Sequence, residues 1–150
     1  MASHRESRIV ALPPESLFDV VADVESYPDF VPLMRDARIV RRDASGYETV
    51  QTLALGLFAH RFQTRTELVR PQEISVVSND RSFCRFDIRW TFVPHGEDHC
   101  RVDFAFNCLA RSLFLIPFVE TMMLPMAATM VGAFESQAHR LARRSVDRES

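Results

Sequence analysis

The chain has no lysine, so arginine supplies all 18 of its permanently positive side chains. A lysine that forms a Schiff base, or the lysine of a phosphate-binding P-loop, is therefore excluded. Glycine is also scarce: the four glycines are isolated from one another, which excludes a glycine-rich loop that would cradle phosphate. The three cysteines (Cys84, Cys100 and Cys108) form no CxxC pair, and their odd number favours buried thiols in a reducing compartment over a disulfide framework.

Charge and motifs exclude further classes of protein. A formal net charge of −2 gives no sign of bulk electrostatic binding to nucleic acid. The histidines are scattered rather than spaced as metal ligands, and no GxSxG nucleophile motif is present, so we predict neither a metal site nor a catalytic residue. The N-terminal sequence MASHRESRIV lacks the apolar core of a signal peptide, and we expect a cytoplasmic protein. The length fits one domain over residues 1–150.

The most apolar part of the chain is residues 112–134, which contain one charge, Glu120, and four of the six methionines. The length would allow a membrane span, but a central carboxylate is costly there, and the apolar stripe continues into an arginine-rich end. We predict a long amphipathic helix that Pro125 kinks or breaks. Glu120 is expected on its exposed side; the alternative is a cavity, where its pKa would rise. The buried stripe is Ile116, Val119, Met123, Met126, Met130, Phe134, Ala138 and Leu141.

The rest of the chain is predicted to be mostly strand. It begins with a strand over residues 4–12, a short helix over 15–23, and an apolar loop over 25–34 whose prolines prevent a long helix. From residue 35 the hydrophobic period changes to two, and turn-like separators divide the chain into six strands. These are residues 35–42, 47–55, 58–69, 72–79, 84–93 and 100–109. Short connections between them predict hairpins and an antiparallel sheet.

Alternation is clearest in the last two strands, which place apolar side chains on one face and charged ones on the other. The predicted inward residues are Cys84, Phe86, Ile88, Trp90 and Phe92, followed by Val102, Phe104, Phe106 and Cys108. An apolar sheet face needs a cover, and the C-terminal helix is the one predicted element long enough to provide it. The predicted fold class is α+β, in the order β-α-β6-α: a curved seven-stranded antiparallel sheet around a long C-terminal helix, with room for an apolar cavity.

Several motifs give the chain a family resemblance. They are DVESYP at 23–28, FVP at 30–32, FQTR at 62–65, WTFVP at 90–94, FAF at 104–106 and MVGAFE at 130–135. On these motifs, which cover most of the chain, it resembles the START-like (Bet v 1-like) helix-grip superfamily, and within it the coenzyme Q-binding and ribosome-association-toxin group, also named cyclase/dehydrase. The family usually continues FVP with Trp-Cys, whereas this chain has Leu33 and Met34, so a role for those two side chains is not transferred.

The resemblance implies a binding protein for a hydrophobic ligand: ubiquinone or a similar isoprenoid lipid, carried for respiratory electron transport without catalysis. No cofactor is expected, because ubiquinone would be the ligand itself. Two alternatives stay open, a translation inhibitor that binds a ribosomal subunit and a polyketide cyclase or aromatase. The expected partners are therefore the lipid and a membrane surface contacted transiently at its inner face, or, in the first alternative, a ribosomal subunit.

A site for such a ligand should be mostly apolar, and methionine suits it because its side chain adapts to irregular shapes. We predict that residues 25–32 form the cavity mouth opposite the methionine-rich half of the helix, with Phe30 and Val31 exposed to a partner or a membrane. Thr64, Thr66 and Gln51 are the inward polar candidates. The predicted ligand-binding residues are Phe30, Val31, Pro32, Phe62, Phe86, Trp90, Phe104, Phe106, Met123, Met126 and Met130.

The outward strand positions carry arginines that alternate with acids. The arginines are Arg61, Arg65, Arg85, Arg89 and Arg101, and the acids are Glu67, Asp87 and Asp103. This mixture favours cross-strand ion pairs on a solvated face. A basic face that binds RNA is the alternative.

Overall fold

The computed structural model describes residues 1–149 and has the predicted order of elements. The strands are β1 (Ala2–Val10), β2 (Met34–Arg42), β3 (Gly46–Leu55), β4 (Phe58–Val69), β5 (Glu73–Val77), β6 (Phe83–Pro94) and β7 (Cys100–Ala110). The helices are α1 (Pro14–Ala22), a 3₁₀ helix (Val24–Asp29), a 3₁₀ turn (Leu113–Leu115), α2 (Ile116–Phe118), a π-helical turn (Val119–Met123) and α3 (Leu124–Glu149). Each predicted strand is found within two residues of its predicted ends, which confirms the α+β helix-grip fold.

All strand pairs are antiparallel, in the order β1-β7-β6-β5-β4-β3-β2. The first strand therefore returns to pair with the last, which leaves β1 and β2 as the edges. The apolar inner face is covered by the C-terminal helix, whose Met123, Ala127 and Phe134 are fully buried. One face of the sheet thus builds the core, and the other faces solvent.

The predicted helix stripe is confirmed in its middle and wrong at its two ends. The buried members are Val119, Met123, Met126, Met130, Phe134 and Ala138, whereas Ile116 is 43% exposed and Leu141 is 41% exposed. Ile116 precedes the π-helical turn, whose extra residue changes the helical phase, so that Phe118 points inward instead. Leu141 lies at an open groove beside α1. Glu120 is exposed, as predicted.

The expected break in the helix lies one turn earlier than predicted. The π-helical turn Val119–Met123 ends just before Pro125, and α3 continues through the proline. Proline has no N–H to donate to the carbonyl four residues back, that of Thr121. The wider turn therefore accommodates the missing hydrogen bond without ending the helix.

The inward assignment of Cys84 is wrong, because the register shifts between Phe83 and Arg85. A bulge of this kind places one extra residue on a strand and reverses the alternation on one side of it. Phe83 is therefore buried and Cys84 is exposed. From Phe86 onward the predicted alternation is confirmed.

By length and composition alone, the helical segment Leu113–Arg148 could cross a membrane, since its most apolar window has a mean hydropathy of 1.6. In this fold 44% of that window is buried. Its buried methionines and Phe134 pack against the sheet instead, which is the amphipathic arrangement predicted from the sequence.

Candidate functional site

A small cavity of about 30 Å³ lies between the inner face of the sheet and α3. Strands β2 to β6 line one side, α1 and the 3₁₀ helix line one end, and Met126 and Met130 of α3 close it from above. The walls are mostly apolar, as in sites for hydrophobic small molecules. The volume suffices for one or two water molecules.

A cluster of polar side chains lies at one wall of this cavity: Gln51, Thr64 and Thr66 line it, and Thr49 is buried behind them. The hydroxyls of Thr49 and Thr64 lie 2.5 Å apart, and the Gln51 amide Nε2 donates to Thr49 at 2.9 Å and to Thr64 at 3.3 Å. Thr66 is also buried on the same strand as Thr64. Because β3 and β4 pair in register, Thr49 and Thr64 are direct neighbours. The cluster is thus a pre-built group of donors and acceptors in apolar surroundings.

Two tyrosines anchor the other end of the cavity. Tyr27 donates a hydrogen bond to the carbonyl of Val21, and Tyr47 donates to the carbonyl of Ala22 at 2.7 Å. Both carbonyls lie in the last turn of α1, where helical acceptors lack intrahelical partners. Burial raises the pKa of each tyrosine well above its usual range, so both phenols remain protonated donors at neutral pH.

Phe118 separates this cavity from the surface. Its ring lies 6.5 Å from Phe62, which lines the cavity, and 4.5 Å from His60. On its other side Phe118 lines a nearly wholly apolar surface groove of about 200 Å³. The groove residues are Leu55, Phe58, Pro117, Phe118, Thr121 and Met122. Two buried aromatic rings, Phe62 on the cavity side and Phe118 on the groove side, thus lie between the inner cavity and the outer groove.

The structure brings together five of the predicted ligand-binding residues around the cavity: Phe62, Phe86, Trp90, Met126 and Met130. Phe104, Phe106 and Met123 are buried in the surrounding core and do not line it. The Sγ of Cys108 lies 3.9 Å from the Sδ of Met123, and burial raises the pKa of the Cys108 thiol to about 12. These outer residues support the wall behind the cavity.

The predicted mouth at residues 25–32 is wrong. Val31 is 3% exposed, and Phe30 packs edge-on against Phe134 with ring centroids 5.4 Å apart. Tyr27 contacts the same ring at 5.0 Å. The segment therefore packs against the helix around Phe134, where Tyr27 lines the cavity with Met126 and Met130, and it does not form an exposed mouth. Pro32 is exposed and does not line the cavity under α3.

Three residues at or beside the site were missed by the sequence reasoning: Tyr47, Thr49 and Phe118. Tyr27 lies within the segment that was predicted to border the cavity. Tyr47, Thr49 and Gln51 alternate along β3, so the same period of two that predicted the strand could have assigned all three inward. Phe118 carried no such signal, because its orientation depends on the π-helical turn.

The outer face of the sheet carries ion pairs rather than a continuous basic surface. Arg65 pairs with Asp43 and Glu67, and Arg89 pairs with Glu73. Arg85 and Arg101 each contact an acid two residues along their own strand. The predicted cross-strand ion pairing is thus confirmed for Arg89 and Glu73, whereas the other pairs lie within a strand or reach a turn, and among the described residues Arg61 has no ion pair. Within residues 1–149, no group of three potential metal ligands comes together.

Comparisons with known proteins agree with this architecture. Residues 10–135 match the model of a family described as polyketide cyclase/dehydrase and lipid transport. The ribosome association toxin RatA of Pseudomonas aeruginosa is 30% identical over 94% of this chain and 99% of its own. The mitochondrial coenzyme Q-binding protein COQ10 homolog B of Xenopus laevis is 23% identical over 92% of this chain and 58% of its own.

Among solved structures, a START superfamily protein from Mycobacterium smegmatis superposes with a TM-score of 0.74 at 18% identity. The superposition covers 94% of this chain and 99% of that chain, and at this identity it shows the fold. The family match spans all seven strands except most of β1, and it includes the cavity-lining part of α3. The chain therefore belongs to the polyketide cyclase/dehydrase and lipid transport family.

Proposed function

We propose that this protein binds ubiquinone or a similar isoprenoid lipid between its sheet and α3, and carries it for respiratory electron transport. The observation that carries the proposal is the apolar cavity under α3 with one polar wall. An isoprenoid quinone has the matching chemistry, an oxygen-bearing ring joined to an apolar tail. We place the protein in the cytoplasm, peripheral to the inner face of a membrane.

The polar wall suits the ring of such a ligand. Thr49, Gln51 and Thr64 form a hydrogen-bonded cluster, so a carbonyl oxygen that enters can replace one of its internal bonds rather than face an unpaired group. The adjacent walls are Phe62, Phe86 and Trp90, on which a flat ring can stack. The cluster would thus orient the ring, and the apolar walls would supply the contact area.

Binding requires the cavity to expand. Sites for small molecules of this size occupy roughly 300–1,000 Å³, whereas this cavity has about 30 Å³. Met126 and Met130 close it, and methionine changes shape more readily than a branched side chain. Displacement of Phe118 together with Phe62 would also join the cavity to the 200 Å³ surface groove. Entry of a lipid would thus require these side chains to move apart.

Binding without catalysis is the favoured mode. The tyrosines at the cavity, Tyr27 and Tyr47, already donate to backbone carbonyls of α1. Their raised pKa makes the two phenols weaker acids than usual, so they are poor proton donors to a substrate near neutral pH. A cyclase or aromatase would need a cavity group with a pKa closer to neutrality, and for that reason it remains the less favoured alternative.

The proposal is tested by the lipids that the protein retains. Gently purified protein is extracted with organic solvent, and the extract is analysed by mass spectrometry. The Thr64→Val variant keeps the shape of the side chain but removes a hydroxyl of the polar wall, and Thr52→Val makes the same change at an outward position of the neighbouring strand. We expect quinone in wild type and Thr52→Val, and about tenfold less in Thr64→Val.

Two results would count against the proposed binding of quinone. An extract of wild type without isoprenoid lipid, together with no saturable binding of added ubiquinone, would overturn it. Equal quinone in Thr64→Val would show that the polar wall does not recognise the ring. Circular dichroism and urea unfolding establish that both variants are folded.

Ribosome binding is the second candidate, because the relative from Pseudomonas aeruginosa is named a ribosome association toxin. The paired arginines of the outer face argue against a strong contact with RNA, since their charges are partly neutralised. Sedimentation with ribosomal subunits across a salt series tests the candidate. We expect no stoichiometric binding; salt-sensitive binding to one subunit, with no quinone in the extract, would favour it.

A further inference from the structure

One end of the molecule carries an exposed apolar surface that no element of the fold covers. It is formed by the β3–β4 hairpin tip and by the segment that leads into α2. The most exposed side chains are Leu57 at 107%, Phe114 at 92% and Leu113 at 83%. We name this surface the apolar end; its residues are Leu55, Leu57, Phe58, Leu113, Phe114 and Ile116.

The two segments form one surface because they meet at the groove. Phe58 of the hairpin lies 6.3 Å from Phe118, ring centroid to ring centroid, and Leu55 and Pro117 line the same groove. Large apolar side chains exposed on other parts of the sheet, such as Val40 at 59% and Val69 at 54%, are less exposed than Leu57, Leu113 and Phe114. Scattered exposure is ordinary, whereas a contiguous apolar patch marks an interaction site.

Arginines surround the apolar end without acidic partners. Arg61 follows the hairpin on β4, Arg81 lies in the turn beside His60, and Arg35 lies in a bulge opposite the end of β3. Within residues 1–149, none of these three takes part in an ion pair. The arginines farther along the outer face are paired with acids, whereas these three are not. Their positive charge is therefore available to a partner at the apolar end.

Most acidic side chains at this end already have hydrogen-bond or ion-pair partners. Asp80 accepts hydrogen bonds from the backbone of Gln63 and Ser82, and Asp36 pairs with Arg38. Glu120 is exposed on the π-helical turn and is the acid that opposes the arginines. The combination is therefore a projecting apolar tip with a largely positive rim.

We propose that the apolar end docks on the surface of a lipid bilayer that contains anionic lipids. Leu57, Leu113 and Phe114 enter the boundary between headgroups and acyl chains, and the surrounding arginines contact lipid phosphates. Two short projecting segments suit a deformable surface better than a flat protein face, and leucine and phenylalanine beside arginine are typical of interfacial anchors. The proposal rests on the proposed function in one respect: a carrier of an insoluble lipid must exchange it with a membrane, and the apolar end adjoins the groove above Phe118.

Vesicle flotation with purified, unliganded protein tests the docking surface directly. Vesicles of phosphatidylcholine are compared with vesicles that also contain phosphatidylglycerol. We expect binding to both, stronger with phosphatidylglycerol, and a loss of about tenfold or more in Leu57→Asp/Phe114→Asp. The matched control, Val40→Asp/Val69→Asp, makes the same charge change at exposed apolar positions elsewhere on the sheet and should bind like wild type.

Two further variants separate insertion from charge. Arg61→Glu/Arg81→Glu should lose the preference for phosphatidylglycerol and retain binding to phosphatidylcholine. Phe114→Trp places a fluorophore at the tip, and its emission should shift to the blue and be quenched by lipids brominated on their acyl chains. Trp90 gives little background to quenching because it is 1% exposed.

Other partners for the apolar end, a second copy of the chain or the ribosome, would give different results in these experiments. Absence of vesicle binding by wild type, or unchanged binding by Leu57→Asp/Phe114→Asp, would overturn the proposal. A dimer in analytical ultracentrifugation that the same variant abolishes would assign the surface to a second copy of the chain, and ribosomal-subunit binding that it abolishes, without vesicle binding, would assign it to the ribosome. Vesicle binding by a protein whose wild-type extract contains no isoprenoid lipid, and which shows no saturable binding of added ubiquinone, would refute the proposed function and leave the docking surface intact.

Discussion

The two ends of strand β3 finish in hairpins of opposite character. At one end, Asp43 accepts hydrogen bonds from the backbone of Ser45 and Gly46, and the Arg65 guanidinium donates to Asp43 at 2.7 and 2.9 Å. At the other end, the tip exposes Leu57 completely. The first turn satisfies its polar groups by itself, whereas the second leaves apolar area that only an outside surface can cover. A turn whose polar groups are hydrogen-bonded within the chain stabilises the fold, whereas a turn that leaves apolar side chains exposed indicates an interface.

The largest expected effect comes from removing the aromatic ring beneath the apolar end. Phe118→Ala should lower the free energy of unfolding by about 3–5 kcal/mol, because it deletes a buried ring and leaves a cavity. Urea unfolding measures the change. Phe114→Ala, four residues earlier and 92% exposed, is the control and should change stability by less than about 0.5 kcal/mol. Similar losses in the two variants would contradict the assignment of Phe118 as buried support and Phe114 as free surface.

The two hairpins should also differ in their need for glycine. A Cβ at Gly46 would lie 1.8 Å from the carbonyl oxygen of Thr66, so β3 and β4 would have to separate. Gly46→Ala should therefore cost about 3 kcal/mol or more. At Gly56 nothing lies within 4 Å, and the positive φ of 60° alone penalises alanine, by about 1 kcal/mol. Equal losses in urea unfolding would show that β3 and β4 are not packed as closely at Gly46 as described.

The polar hairpin should make stability depend on pH in acid. The hydrogen bond from Arg65 holds the pKa of Asp43 well below its ordinary range. A carboxyl whose pKa is lowered by folding stabilises the native state above its unfolded pKa, near 4, and that contribution is lost as pH falls towards the folded pKa. Asp43→Asn should therefore be less stable than wild type at pH 7, and the difference should shrink below about pH 4. Denaturation at a series of pH values measures it, and a constant difference would refute the ion pair.

The smallest expected effect on stability is at the apolar tip itself. Leu57→Ser should change the free energy of unfolding by less than about 0.5 kcal/mol, since the side chain buries no area in the fold. The same variant should elute earlier from a hydrophobic-interaction column. A stability loss comparable to that of Gly46→Ala would mean that Leu57 is part of the core.

Most of the fold followed from the sequence because it depends on local periodicity. The alternation from Phe86 to Phe92 and the three-to-four spacing from Met123 to Ala138 are properties of neighbouring residues, and both were predicted correctly. Cys84 was misplaced because a bulge is a property of two strands in register, which the sequence of one strand does not contain. Ile116 was misplaced for the related reason that the π-helical turn changes the phase of the helix.

The site was less predictable than the fold. Phe62, Trp90 and Met130 were identified because inward aromatic and methionine positions are visible in the pattern. Phe30 and Val31 were assigned to an exposed mouth because no strand was available to bury them, yet Phe30 packs against Phe134 of α3 and Val31 is buried. The sequence predicted a turn at Leu57 but not an exposed apolar tip. The exposure of Leu57 depends on which elements end near it in space, and the order of elements along the chain does not show this.

The π-helical turn has a consequence for how this chain tolerates change in length. A π turn holds one residue more than an α turn, so deletion of a single residue within Val119–Met123 would convert it to regular helix. Everything N-terminal to it would then rotate by about 100° relative to α3. Phe118 would swing out of the space between cavity and groove, while the packing of Met126 and Phe134 would stay in phase. The one extra residue of the π-helical turn thus determines the direction in which the Phe118 ring points.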